Sequence, residues 1–128
     1  MINKPSSLNL LRWFDPRNRE IGTWGFILNR ITALGLSLYL FLHLFMLSKL
    51  ALGPQAYDSF ITLAKSPVIK IGELFVIAAG VIHGLNGIRI GLNSFGIAVR
   101  YQKELFIGLM ALALLAIAIF TYFMFFAA

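Results

Sequence analysis

Only two histidines occur in the chain, His43 and His83, and each stands inside a long apolar run: Leu40-Phe41-Leu42-His43-Leu44 and Val81-Ile82-His83-Gly84. An ionisable side chain in such a setting is costly and marks a functional site by default. A neutral imidazole there suits axial ligation of a haem iron. It also suits a hydrogen bond to a neighbouring helix, worth about 1 kcal/mol. The surroundings of His83 favour the first. Gly80, Gly84, Gly87 and Gly91 are spaced four, three and four apart, so on a helix they form one stripe. At about 100° per residue, His83 lies about 40° from Gly87 and about 60° from Gly80, on the flank of that stripe. A porphyrin is a flat plate and needs positions without side chains beside its ligand. The same glycines also form small-xxx-small pairs, which serve close helix packing.

The elements that hold these residues follow from composition. Of the 128 residues, 59% are hydrophobic and 12% charged, with a mean hydropathy of +0.84. Soluble domains carry about 25% charged residues, and a chain this short cannot bury such an apolar excess. A soluble enzyme, a disordered tail and a nucleic-acid-binding domain are excluded. The net charge of +6 and pI near 10.1 do not point to nucleic acid, because the basic residues sit at the ends of uncharged stretches, as a bilayer requires. The absence of cysteine excludes disulfides, thiolate metal sites and haem attached through Cys.

Residues 31–48 and 105–128 carry no charge, and Leu74–Ile88 extends through Lys70, Glu73 and Arg89 to about Val68–Leu92. A span needs about 20 residues, and charged side chains near its ends can snorkel to the interface. The sequence therefore predicts an all-α integral membrane protein with three transmembrane helices, about 24–50, 67–93 and 103–127. The first span begins too late and runs too long for a signal peptide. Residues 1–22 form a short cytoplasmic or interfacial arm, with Trp13-Phe14 beside Arg12, Arg17 and Arg19, and residues 23–128 form the membrane domain. Gly53-Pro54 stops the first helix. Tyr57, Phe60 and Leu63 then recur at helical spacing, predicting a short helix on the membrane surface. Asn93-Ser94 and Gly96 mark the second turn. Eight basic residues (Lys4, Arg12, Arg17, Arg19, Arg30, Arg89, Arg100 and Lys103) share one side, against Lys49, Lys65 and Lys70 on the other. The positive-inside rule puts the N-terminus in the cytoplasm and the C-terminus outside.

The run His83-Gly84-Leu85-Asn86-Gly87-Ile88-Arg89 resembles the His-x-x-Asn-Gly-Ile-Arg signature of the cytochrome b membrane-anchor subunit of succinate dehydrogenase. Arg30-Ile31-Thr32 is similar to the Arg-x-Thr/Ser-Gly segment that opens helix one in that family. Tyr57 and Lys65-Ser66-Pro67-Val68-Ile69 resemble the segment leading into helix two. Length, helix plan and orientation agree over nearly the whole chain. The resemblance implies haem b with His83 as an axial ligand, the other ligand coming from a second membrane-anchor subunit. It implies Arg30 near the quinone and a haem propionate. It also implies Arg89 at the same membrane surface, pairing with a propionate or an adjoining soluble subunit. Arginine suits such charge-assisted, partly buried pairs. Two departures stand out. Phe26-Ile27-Leu28-Asn29 replaces a frequent Ser-x-x-His before the arginine, and Ser94 stands where an aspartate is common.

His43 lies 13 residues beyond Arg30, about 20 Å deeper, whereas His83 lies six residues from Arg89, about 9 Å deep. One iron cannot take both. Either His43 ligates a second haem nearer the outer surface, an arrangement similar to that of some family members, or it is satisfied by a partner helix. No phosphate-binding glycine loop, cysteine set or soluble domain is present, so FAD and iron–sulfur clusters are expected only in partner flavoprotein and iron–sulfur subunits. The expected function is a haem b-binding anchor of a succinate:quinone oxidoreductase (complex II), or of a fumarate reductase running in reverse, in the cytoplasmic membrane of a prokaryote. As such a subunit it would itself lack a catalytic site for succinate. The alternatives are a cofactor-free structural or assembly subunit and a proton relay. The relay is disfavoured because only His43 is ionisable between Arg30 and Lys49.

Overall fold

The computed structural model describes residues 20–127. The expected arm lies outside the described residues as far as position 19. Helix α1 runs Ile21–Leu47, and a 3₁₀ segment over Ser48–Leu52 extends it. The first turn of α1 therefore takes in Ile21 and Gly22, and the sequence places the start of this span three residues too late. Gly53 ends the span with φ 102°, a left-handed conformation that a residue with a Cβ rarely adopts. Pro54 at once opens α2, Pro54–Ala64, because its missing N–H costs nothing in a first helical turn. Tyr57 and Phe60 pair on this short helix, with ring centroids 6.2 Å apart.

Pro67 opens α3 in the same way, and that helix runs to Ser94. Its end is closed by Gly96 N–H donating to the Asn93 carbonyl at 3.0 Å and Ile97 N–H donating to the Leu92 carbonyl at 2.9 Å. Gly96 has φ 76° and Ala98 φ 57°, a pair of left-handed residues that reverses the chain within a few positions. A 3₁₀ turn over Val99–Tyr101 leads into α4, Gln102–Phe126.

Among the described residues, three helices are long and apolar enough to cross a membrane: Ile21–Leu52, Pro67–Ser94 and Val99–Phe126. At 1.5 Å per residue each exceeds the roughly 30 Å hydrocarbon core. Helix α3 is central and packs on both α1 and α4. The start of α1, the end of α3 and the start of α4 meet at one end of the bundle, and Arg30, Arg89, Arg100 and Lys103 belong to that end. Lys49, Lys65 and Lys70 belong to the other. Few residues are buried within the chain itself, and most large apolar side chains face outward. Thr32, Asn86 and Arg89 are among the buried few. The best-packed region of the bundle is thus polar, and it lies along the α1–α3 contact.

Candidate functional site

His83, Asn86 and Arg89 follow one another at intervals of three on α3, so they form one slanted edge of that helix. Asn86 is wholly buried (0% exposed), and its Nδ2 donates to the Gly25 carbonyl of α1. Its Oδ1 accepts from Arg89 Nε at 2.9 Å. Arg89 is 4% exposed, with its guanidinium carbon 5.3 Å from the centre of the Phe106 ring on α4. One side chain thereby links three helices. Gly25 is required for this seat. A Cβ there would fall on the Arg89 guanidinium, 3.1 Å from its Cζ and 3.2 Å from Phe106 Cε2.

His83 stands two turns deeper, half-buried. Its Nδ1 lies 3.2 Å from the Asn29 carbonyl and 3.2 Å from Thr32 Oγ1, both on α1. Thr32 donates its only hydrogen back to its own helix, to the Leu28 carbonyl at 2.6 Å. Towards His83 the hydroxyl can therefore only accept, and a carbonyl can only accept. Both neighbours place the proton on Nδ1 and leave the lone pair on Nε2. Nε2 has no hydrogen-bond partner among the described residues.

The glycine stripe lies on the other side of His83. Nothing comes within 4 Å of a Cβ built at Gly84, Gly87 or Gly91, and Gly80 meets only Leu36 Cδ2 at 4.0 Å. Among the described residues, Gly84, Gly87 and Gly91 pack against no other helix, and only Gly80 reaches α1. Arg89 is turned about 140–160° from Gly84, Gly87 and Gly91 around the helix axis. Helix α3 thus carries two faces: a polar edge closed by α1 and α4, and a smooth open face of glycine. His83 sits at the boundary between them.

Arg30 lies apart from this cluster. It is exposed on α1, about 160° around the helix from Thr32, with its guanidinium carbon 4.5 Å from the centre of the Phe26 ring. His43 is also exposed, near the other end of α1. Its Nδ1 is 3.4 Å from the Tyr39 hydroxyl and the two rings are 5.5 Å apart. The fold therefore ties Asn86 to Arg89 and sets both Asn86 and His83 against α1, and among the described residues it brings neither Arg30 nor His43 to them. Sequence reasoning quoted Thr32 and Asn86 but gave them no role, and it missed Gly25 and Phe106. The three-residue spacing of His83, Asn86 and Arg89 was the available signal for Asn86. No group of three or more His, Asp or Glu side chains gathers among the described residues.

A model of the succinate dehydrogenase/fumarate reductase transmembrane subunit family matches residues 2–124. The chain belongs to that family. It is 32% identical over 83 residues to succinate dehydrogenase 2 membrane subunit SdhC of Mycobacterium tuberculosis, covering 64% of this chain and 61% of that protein. It is 31% identical over 86 residues to a succinate dehydrogenase hydrophobic membrane anchor subunit of Halobacterium salinarum, covering 66% of each. The matches thus span less than two thirds of either relative's length. As a member of the succinate dehydrogenase transmembrane family, the chain has the three apolar helices expected of a membrane anchor.

Proposed function

We propose that this chain is the haem b-binding membrane anchor of a succinate:quinone oxidoreductase, holding flavoprotein and iron–sulfur subunits at the membrane and helping electrons reach quinone. The observation that carries the reading is His83: its Nδ1–H is fixed by α1, and its Nε2 lone pair is unpartnered beside an open glycine face. A metal-bound histidine almost always donates its other ring N–H to a carbonyl or a similar acceptor, which sets the tautomer and raises ligand basicity. Asn29 and Thr32 do this for His83. No atom of the described residues lies within 4 Å of a Cβ built at Gly84, Gly87 or Gly91, which supports seating a flat macrocycle on that face of α3.

Haem b, when bound, supplies a one-electron redox centre near the quinone. His83 would hold the iron from one side, and a second anchor subunit would supply the opposite ligand. Arg30, exposed and steadied by Phe26, would offer its guanidinium to a quinone oxygen or to a haem propionate. Arg89 points away from the glycine face, so its terminal nitrogens would serve an anion other than the propionates of a haem seated there. His43 would ligate a second haem near the far end of α1, with Tyr39 on its Nδ1. The basic end of the bundle would face the cytoplasm of a prokaryotic cell and dock the iron–sulfur subunit. Succinate oxidation would belong to the partner subunits.

Copurification tests the assignment. A tagged chain extracted in mild detergent should bring down flavin- and iron–sulfur-containing polypeptides together with b-type absorbance. A chain that assembles with those partners and carries no haem would leave only the structural-anchor alternative.

A further inference from the structure

Arg89 has a second feature that the haem reading does not use. Its Nε is bonded to Asn86, and that is its only hydrogen bond among the described residues. Among the described residues the terminal nitrogens therefore have no acceptor, although the residue is 4% exposed. Burying a guanidinium is costly unless an anion and hydrogen-bond acceptors compensate it.

The space around those nitrogens is shaped for such a partner. A cavity of about 480 Å³ opens beside Arg89, lined by Glu20, Ile21, Gly22, Gln102 and Lys103. Ile21 and Gly22 open α1, while Gln102 and Lys103 open α4. Neither helix has a side-chain cap. Two helix N-termini and two cations thus face one space, against the single carboxylate of Glu20. Helix N-termini attract anions through their free N–H groups and the positive end of the helix dipole.

A second cavity of about 360 Å³ shares Gly22, Arg89 and Gln102 with the first, and it adds Phe26, Ile90 and Asn93. Asn93 and Ser94 line that space and give it polar groups suited to a hydroxyl, while Asn93 Oδ1 itself is buried without a partner. The joint site therefore asks for an anion next to a hydroxyl-bearing, partly apolar group. It lies at the basic end of the bundle, beside the exposed aromatic rings of Trp24, Phe26 and Tyr101, as befits the headgroup level of a bilayer. Arg89 also points away from the glycine face, which separates this site from the one proposed for haem. The arm before Glu20 carries Lys4, Arg12, Arg17 and Arg19 against a single acid, Asp15.

We propose that the paired cavities at Arg89 bind a phosphoryl oxyanion, contributed by the headgroup of an anionic phospholipid whose glycerol hydroxyl meets Asn93. The phosphate takes the terminal nitrogens of Arg89 and the Lys103 ammonium. The glycerol part lies along Phe26 and Ile90.

Native mass spectrometry of the purified, delipidated complex tests this, with dioleoyl phosphatidylglycerol, dioleoyl phosphatidylcholine and inorganic phosphate titrated as separate arms. The expected result is one tightly held phosphatidylglycerol per chain, weakened at least tenfold by Lys103→Gln and by Arg89→Lys, and tightened by Glu20→Gln. Lys103 and Glu20 lie on the cavity rim outside the packed core, so those two variants keep the test valid if Arg89→Lys fails to assemble. Equal binding of phosphatidylcholine, equal protection by inorganic phosphate alone, or affinity unchanged in both rim variants would overturn the proposal. Haem content, read on the same samples, reports on His83 separately, and the lipid site is expected whether or not haem is present.

Discussion

Replacing Asn86 with leucine keeps the volume of the side chain and removes both of its interhelical duties. The Gly25 carbonyl loses a donor, and Arg89 Nε, buried between α1 and α4, loses its acceptor. An interhelical hydrogen bond within a membrane is worth about 0.6–2 kcal/mol. A hydrogen bond to a charged group adds about 1.5–3 kcal/mol, because the partner is left buried and unpaired. The terms overlap, so the expected loss is about 2–4 kcal/mol. A double-mutant cycle with Arg89→Met separates the two duties of Asn86. If Asn86 acts mainly by holding Arg89, the double variant should be less destabilised than the sum of the singles by about 1–2 kcal/mol. Unfolding of the purified complex in mixed micelles, titrated with dodecyl sulfate and followed by helicity, measures each corner. A cost for Asn86→Leu below about 0.5 kcal/mol, or strict additivity with Arg89→Met, would refute the claim that this polar link fastens the helices.

Other perturbations separate the roles of the two faces of α3. A Cβ at Gly87 meets no atom of the described residues within 4 Å, so Gly87→Ala should change the stability of the chain by less than about 0.5 kcal/mol while haem content falls. Lost assembly with a second anchor subunit in a haem-free background would instead assign the stripe to helix packing. Gly25→Ala should cost about 1–3 kcal/mol by overpacking against Arg89 and Phe106, measured in the same micellar titration. Thr32→Val removes an acceptor from His83 Nδ1–H and makes the imidazole a weaker donor to ferric iron. The haem midpoint potential should therefore rise in Thr32→Val and stay near wild type in Thr32→Ser, and a fall in Thr32→Val would contradict the tautomer assigned here.

Much of the fold was legible because hydrocarbon imposes so few solutions. Uncharged runs of bilayer length could only be helices, and Gly53-Pro54 and Gly96 marked their ends through chemistry readable one residue at a time. The short helix over Pro54–Ala64 was legible from the spacing of Tyr57, Phe60 and Leu63. The start of α1 was missed because Ile21 and Gly22 precede the apolar run, and a helix continues past hydrocarbon at no cost in hydrogen bonds. His83 stood out because ionisable residues are scarce in such a chain. What one sequence did not reveal was the company it keeps. Glycine at position 25 has no visible reason until Arg89 from α3 and Phe106 from α4 converge on it. Thr32 looks like an ordinary helix residue until its hydroxyl is found against His83. Nor does the glycine spacing distinguish packing from an open face, since that depends on whether another helix of the chain covers it.

Haem quantified per chain in purified complexes carrying His83→Ala or His43→Ala, alongside wild type, tests the central claim most directly. Reduced-minus-oxidised spectra should show b-type absorbance in wild type. That absorbance should be lost or strongly displaced in assembled His83→Ala, and at least one haem per chain should be retained in His43→Ala. An assembled His83→Ala complex with the wild-type spectrum and haem content would contradict the assignment of His83 as the ligand.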